Sequence, residues 1–184
     1  MGVCGALATR EDLGLMDAYD AIITRRSVRT FTKQAMPPEV VKKLLVAAMS
    51  APSAGNQQPW HFVVARGQGT REALAELLPH GKMLAHAPVA IAVCADLRLE
   101  QHAGYWVQDC SAATENLLLA AHALGLGGVW VGVYPREERV AGVRKIFNLP
   151  DEVIPLCIVA VGYPAEPIGG SERYKEGRVH YERW

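Results

Sequence analysis

The pattern of apolar and polar positions divides the chain into alternating helical and extended segments. From Met16 or Asp17 to Thr24 the apolar positions Leu15, Ala18, Ala21 and Ile22 fall on one side of a helix, which runs straight into the basic pair Arg25-Arg26. An extended stretch, Val28 to Thr32, follows. Pro37 and Pro38 then open a second helix whose apolar face is Val41, Leu44, Leu45 and Ala48, and which stops near Ala51-Pro52. After a polar loop from Ser53 to Pro59, the β-rich runs Trp60 to Ala65 and Val89 to Ala95 predict core strands, separated by a short helix from about Thr70 to Leu78. Trp106 to Leu124 is apolar on most faces and predicts a long, central helix. Gly127-Gly128 is expected to end it, with a strand over Val129 to Val133, a helix over Glu137 to Phe147 and a last strand over Val153 to Tyr163. Helices and strands alternate around one sheet, the pattern of an α+β or α/β sandwich.

Composition narrows the function classes. Half of the residues are hydrophobic and 21% are charged, the balance of a globular protein, and 184 residues suit one domain, with residues 1–14 expected to be a flexible terminus. Nineteen basic and nineteen acidic side chains cancel, so no overall field draws nucleic acid or an anionic membrane, and any anion must be bound locally. The four cysteines are far apart and form no C-x-x-C pair, which argues against a disulfide framework and for a reducing cytoplasm. The histidines lack the i,i+3 or i,i+4 spacing of a metal site, so no metal is expected. The charge-free run from Leu117 to Val133 is broken by glycines and fits a buried helix entering a buried strand better than a membrane span. The N-terminal segment MGVCGALATREDLG lacks a basic n-region and a long apolar h-region, so no secretion signal is expected in it.

Three stretches carry candidate chemistry. In Arg25-Arg26-Ser27-Val28-Arg29, guanidinium groups and a hydroxyl stand just past a helix end, an arrangement suited to a phosphate. The competing explanation is that arginines at a helix C-terminus answer the helix dipole. Ala51 to Trp60 (APSAGNQQPW) combines small residues that let the backbone approach a flat ring with amides that can match its donors and acceptors, although any helix-to-strand connection can be built this way. The third stretch, Gly125 to Gly132 (GLGGVWVG), fails the dinucleotide fingerprint G-x-G-x-x-G. Trp130 occupies the third glycine position, and the run leads from a helix into a strand. Its glycines more plainly cap the helix and let the backbone reach a ligand.

Taken together, the motifs R-R-S-V-R, A-P-S-A-G-N-Q-Q-P-W, A-P-V-A-I-A-V, G-L-G-G-V-W-V-G, V-G-Y-P and R-V-H-Y-E-R-W resemble, in order and wording, the nitroreductase family of FMN-dependent oxidoreductases. The resemblance implies a three-layer α/β/α sandwich with a central, mostly antiparallel sheet, assembled as an interlocked homodimer with FMN bound without a covalent bond at the dimer interface. It implies Arg25 and Ser27 on the FMN phosphate with Arg26 close by. It implies Arg29 at the N1 and C2-carbonyl edge, where a fixed cation stabilises charge that arrives with hydride. Pro52, Ser53, Ala54 and Asn56, with Gln58 near, would come from the partner subunit. Gly128, Val129, Trp130, Val131 and Gly132 would border the ring near N5, and Arg173 would be a further phosphate partner, with Lys175 or Arg178 as substitutes. Where the family commonly offers an amide before Pro88, this chain reads Leu78-Pro79-His80-Gly81-Lys82. The implied activity is ping-pong transfer of electrons from NADH or NADPH to a small organic acceptor of the nitroaromatic or quinone type, with no catalytic nucleophile. Reductive dehalogenation, oxygen-dependent flavin fragmentation and a redox sensor without turnover are the rival readings on the same fold.

Overall fold

A computed structural model describes residues 16–167, 169–170 and 172–184. Leu15 and the expected flexible terminus, residues 1–14, lie outside the described residues. In chain order the elements are α1 (Ala18–Thr24), α2 (Pro38–Met49), β1 (Trp60–Ala65), α3 (Gln68–Leu77), β2 (Val89–Asp96), α4 (Trp106–Ala123), β3 (Gly127–Gly132), α5 (Glu137–Phe147) and β4 (Val153–Gly162). Single 3-10 turns at Ala54–Asn56, Lys82–Ala85, Leu97–Leu99 and Glu176–Arg178 have no counterpart in the sequence pattern.

The four strands form one antiparallel sheet in the order β1-β2-β4-β3. Strand side chains alternate between faces, and here both faces are covered. From β2, Val89, Ile91, Val93 and Ala95 join a core with α2 and α4, while Ala90, Ala92 and Cys94 join a second core with α3 and α5. A register shift between Val93 and Cys94 against β4 puts both Leu156 and Cys157 on the α4 side. The result is an α+β fold of three layers, α2 and α4 on one face and α3 and α5 on the other.

The central helix behaves as its composition predicts. Along α4 only Gln108 and Glu115 are exposed, and among the described residues no helix is long and apolar enough to cross a membrane. Its end differs from the expectation. Gly125, at φ +73°, follows the last turn, and its N–H donates to the His122 carbonyl at 3.0 Å while that of Leu126 donates to the Ala121 carbonyl at 2.8 Å. This paired closure needs a left-handed residue, which glycine supplies at least cost. Gly127 and Gly128 are therefore not the helix stop; they open β3. Of the described residues on the predicted apolar face of α1, only Ala21 is buried, and Ile22 stays 58% exposed.

Residues Ser27 to Thr32 cross the ends of the sheet strands. The Val28 N–H donates to the Gly128 carbonyl at 3.0 Å and the Thr32 N–H to that of Tyr163 at 2.9 Å. Ser27 pairs with Gly128 and Phe31 with Pro164 as isolated bridges. The approach at Gly127 is so close that a Cβ there would lie 2.6 Å from the Val28 Cβ. That packing role explains this glycine.

Candidate functional site

The chain leaves α1 at Thr24 and immediately presents Arg25, whose backbone N–H closes the helix on the Ala21 carbonyl. The Arg25 side chain is mostly buried. Its Nε lies 3.4 Å from Glu115 Oε1 but makes no hydrogen bond, so one strong donor is left unused. Such a group is costly to bury without a partner. Arg26 behaves differently: its Nη1 donates to the Arg25 carbonyl at 2.7 Å and to that of Ile23 at 3.4 Å. For this arginine the helix-end explanation has a structural basis. His122, on α4, lies 2.8 Å from Thr24 Oγ1 through Nε2, and Thr24 Oγ1 donates to the Asp20 carbonyl, so the imidazole N–H is the donor to Thr24. Burial, with the charges of Arg25 and Arg26 adding to it, holds His122 below its ordinary pKa.

Arg29 stands where two cavities meet. One, of about 250 Å³, is lined by Arg26, Ser27, Val28, Arg29 and Thr30 and closed by Glu166, Pro167 and Gly169. The other, of about 330 Å³, lies between Arg29, the segment Pro79 to Met83, and the β3 residues Val129 and Trp130. His80 and Lys82 thus face the same space as Arg29. They occupy the segment where the sequence offered no amide, and only their basic character marked them. Glu166 is an acid at the rim of the first cavity, which the sequence did not single out.

The segment from Ser53 to Gln58 forms a separate structure. Gly55, Asn56 and Gln58 all have positive φ, at +54°, +56° and +45°. A cluster of conformations disfavoured for non-glycine residues persists only where the surroundings impose it. Buried Asp109, in the first turn of α4, accepts from the Ala54 N–H at 2.9 Å and from Gln57 Nε2 at 2.6 Å. The Gln57 Oε1 in turn accepts from the N–H groups of Gln101 and His102. Ser53 Oγ accepts from the Gln58 N–H, and Gln58 Nε2 donates to Asn56. Neither cavity at Arg29 is lined by Pro52, Ser53, Ala54, Asn56 or Gln58. Within one protomer the basic segment and this loop are distinct surfaces.

Of the remaining sequence candidates, Val129 and Trp130 line the Arg29 cavity, while Gly128 and Val131 are buried in β3. At Gly132 a Cβ would meet nothing within 4 Å. Arg173 is exposed and lines neither cavity. Asp109 and Gln57, which hold the loop, carried no signal in the sequence beyond being polar residues in apolar or small-residue surroundings.

The sequence model of the nitroreductase family matches residues 22–80 and 71–163. The chain belongs to the nitroreductase family. This nitroreductase-family chain is 50% identical over 169 residues to a Methanothermobacter thermautotrophicus protein named "Putative NADH dehydrogenase/NAD(P)H nitroreductase", covering 92% of the chain and 88% of the relative. A crystal structure of a Parabacteroides distasonis protein with the same name superposes with a TM-score of 0.88 at 38% identity, covering 91% of this chain and 98% of that one. A Desulfovibrio desulfuricans structure, described as "a putative nitroreductase in complex with FMN", superposes with a TM-score of 0.79 at 32% identity, covering 91% and 97%. The nitroreductase-family fold therefore extends over nearly the whole of both chains in each comparison.

Proposed function

We propose that this chain is an FMN-dependent oxidoreductase that passes electrons from NADH or NADPH to a small organic acceptor of the quinone or nitroaromatic type, in a ping-pong cycle. The observation that carries the reading is a run of strong donors on one segment. Arg25 Nε is buried 3.4 Å from Glu115 Oε1 without a hydrogen bond, and the exposed Ser27 and Arg29 line one cavity, where their donors are open to a ligand. A phosphate and an electron-rich ring edge are the groups such donors fit. The FMN complex of the Desulfovibrio relative supports the same cofactor.

FMN, when bound, supplies the site that takes hydride from a nicotinamide and returns two electrons to the acceptor. Arg25 and Ser27 bind the phosphate, with Arg26 beside them, and Arg29 holds positive charge against the pyrimidine edge. A cation fixed there stabilises negative charge as it develops and needs no reorganisation. Gly128 to Gly132 support the ring, with His80 or Lys82 taking the place of the absent amide. Arg173 is the proposed further phosphate partner.

Pro52, Ser53, Ala54, Asn56 and Gln58 act from a second copy of the chain. The separation of their loop from the Arg29 cavities within one protomer supports this arrangement, as does an apolar face on α1, α2 and α4. There Tyr19, Ile22, Val46 and Met49 are each at least half exposed, and Ile22 lines a cavity of about 410 Å³ with Met16, Ala47, Leu119 and Ala120. An exposed patch of this kind marks an interface. The whole chain forms one domain, and the cytoplasm is its proposed compartment.

The test is anaerobic addition of NADH or NADPH to purified protein, followed by a quinone. Bleaching of the flavin bands and their return on adding the acceptor are expected. A coloured protein that fails to bleach would be a passive flavin carrier, and a colourless one that takes up no FMN would end the proposal altogether.

A further inference from the structure

A third and larger cavity, of about 540 Å³, opens on the far side of Arg29. Its walls include Arg29, Lys33, Arg71 and His86, with Phe31 and Pro88 as apolar surface and no aspartate or glutamate. Arg71 is 9% exposed, and its hydrogen bonds go to neutral oxygens: the carbonyls of Arg66, Ala85 and Ala87 and the side-chain oxygen of Gln68. The nearest acid in this chain of contacts, Glu72, is reached only through the Gln68 amide at 2.7 Å. Among the described residues neither Arg29, Lys33 nor Arg71 pairs with a carboxylate. A buried guanidinium normally has a counter-charge, and here the described residues supply none while two further cations and a histidine share the same space.

We propose that this cavity is an anion subsite for the adenosine phosphate end of the nicotinamide dinucleotide. The cations meet phosphate oxygens, and Phe31 and Pro88 offer the flat apolar contact that an adenine needs. Arg29 lines both this cavity and the one beside β3, so one side chain joins the donor's phosphate to the proposed flavin edge. The assignment to the donor rests on the oxidoreductase reading; the anion chemistry stands on the cavity.

The probes are ADP and adenosine 2′,5′-bisphosphate, titrated calorimetrically into the holoenzyme and into Lys33→Glu, a substitution at an exposed position that the fold tolerates. Binding of one or both nucleotides is expected, weakened roughly tenfold or more in the variant, as loss of a charge-assisted contact requires. Flavin content should not change. The KM for the donor should rise in step while kcat at saturating donor holds. Tighter binding of the bisphosphate would assign the site to a 2′-phosphate, and equal or tighter binding of ADP to the diphosphate. No binding of either probe at millimolar concentration, an unchanged affinity or donor KM in Lys33→Glu, or flavin lost together with the nucleotide would each overturn the proposal. A protein that takes no FMN yet binds the bisphosphate through Lys33 would sink the oxidoreductase reading and leave the anion subsite standing.

Discussion

Replacing Gly127 with alanine tests how the proposed phosphate-binding segment is held. The new methyl would lie 2.6 Å from the Val28 Cβ and 2.7 Å from each of its γ carbons, where carbon atoms settle at about 3.5–4.0 Å. Because the nearest atom is the Cβ itself, no rotamer of Val28 relieves the overlap, and the backbone must retreat by about 1 Å. Overpacking of this kind costs about 1–3 kcal/mol. In a chain of this length each kcal/mol lowers Tm by about 2–4 °C. The retreat also stretches the 3.0 Å bond from the Val28 N–H to the Gly128 carbonyl and displaces Ser27 and Arg29 on either side. Calorimetry and FMN titration should therefore show both a lower Tm and weaker cofactor binding in Gly127→Ala. The double variant Gly127→Ala/Val28→Gly removes the obstructing Cβ and should recover much of the lost FMN affinity. The reasoning fails if the single variant matches wild type in Tm and FMN affinity, or if the double variant binds FMN no better than the single one.

Three further outcomes are expected. Arg25→Ala should weaken FMN retention by about 1.5–3 kcal/mol, the scale of a hydrogen bond to a charged group, while far-ultraviolet circular dichroism stays that of the folded chain; unchanged affinity in an ultrafiltration assay removes Arg25 from the site. Asp109→Ala leaves the Ala54 N–H and the Gln57 amide without their acceptor, at about 1–3 kcal/mol for each donor left buried and unpaired, and a urea midpoint equal to wild type would show that the loop holds itself. His122 is held below its ordinary pKa, so on acidification the unfolded chain takes up a proton near pH 6.5 before the folded one does. Its contribution favours folding above that pH and is lost as pH falls below it; urea midpoints should decline on that side, and His122→Asn should flatten the decline.

The elements were legible where the signal is local. The strand over Trp60 to Ala65 and the helix over Glu137 to Phe147 have the bounds that periodicity predicts, because burial follows the repeat of a single element. The end of α4 was misjudged. A glycine that closes a helix and a glycine that opens a strand look alike until it is known which one has positive φ, and here that is Gly125. The basic segment was legible as chemistry, yet its arginines divide: Arg25 keeps an unused buried donor while Arg26 spends one nitrogen on the helix end. The hold of Asp109 on the 53–58 loop was not legible, since its partner Ala54 lies 55 residues away and no local pattern records a pairing at that distance.

By itself the sequence determined which segments are helical or extended, which stretches are rich in guanidinium, hydroxyl and amide groups, and which family the chain resembles. Those properties depend on side-chain type and on spacing within a few residues. Only the tertiary structure decided the strand order β1-β2-β4-β3, the close passage of Val28 over Gly127, and the meeting of three cavities at Arg29. Each of these depends on segments far apart in the chain coming within van der Waals contact, and that proximity is set by how the two cores pack on the sheet, not by any residue's neighbours in sequence.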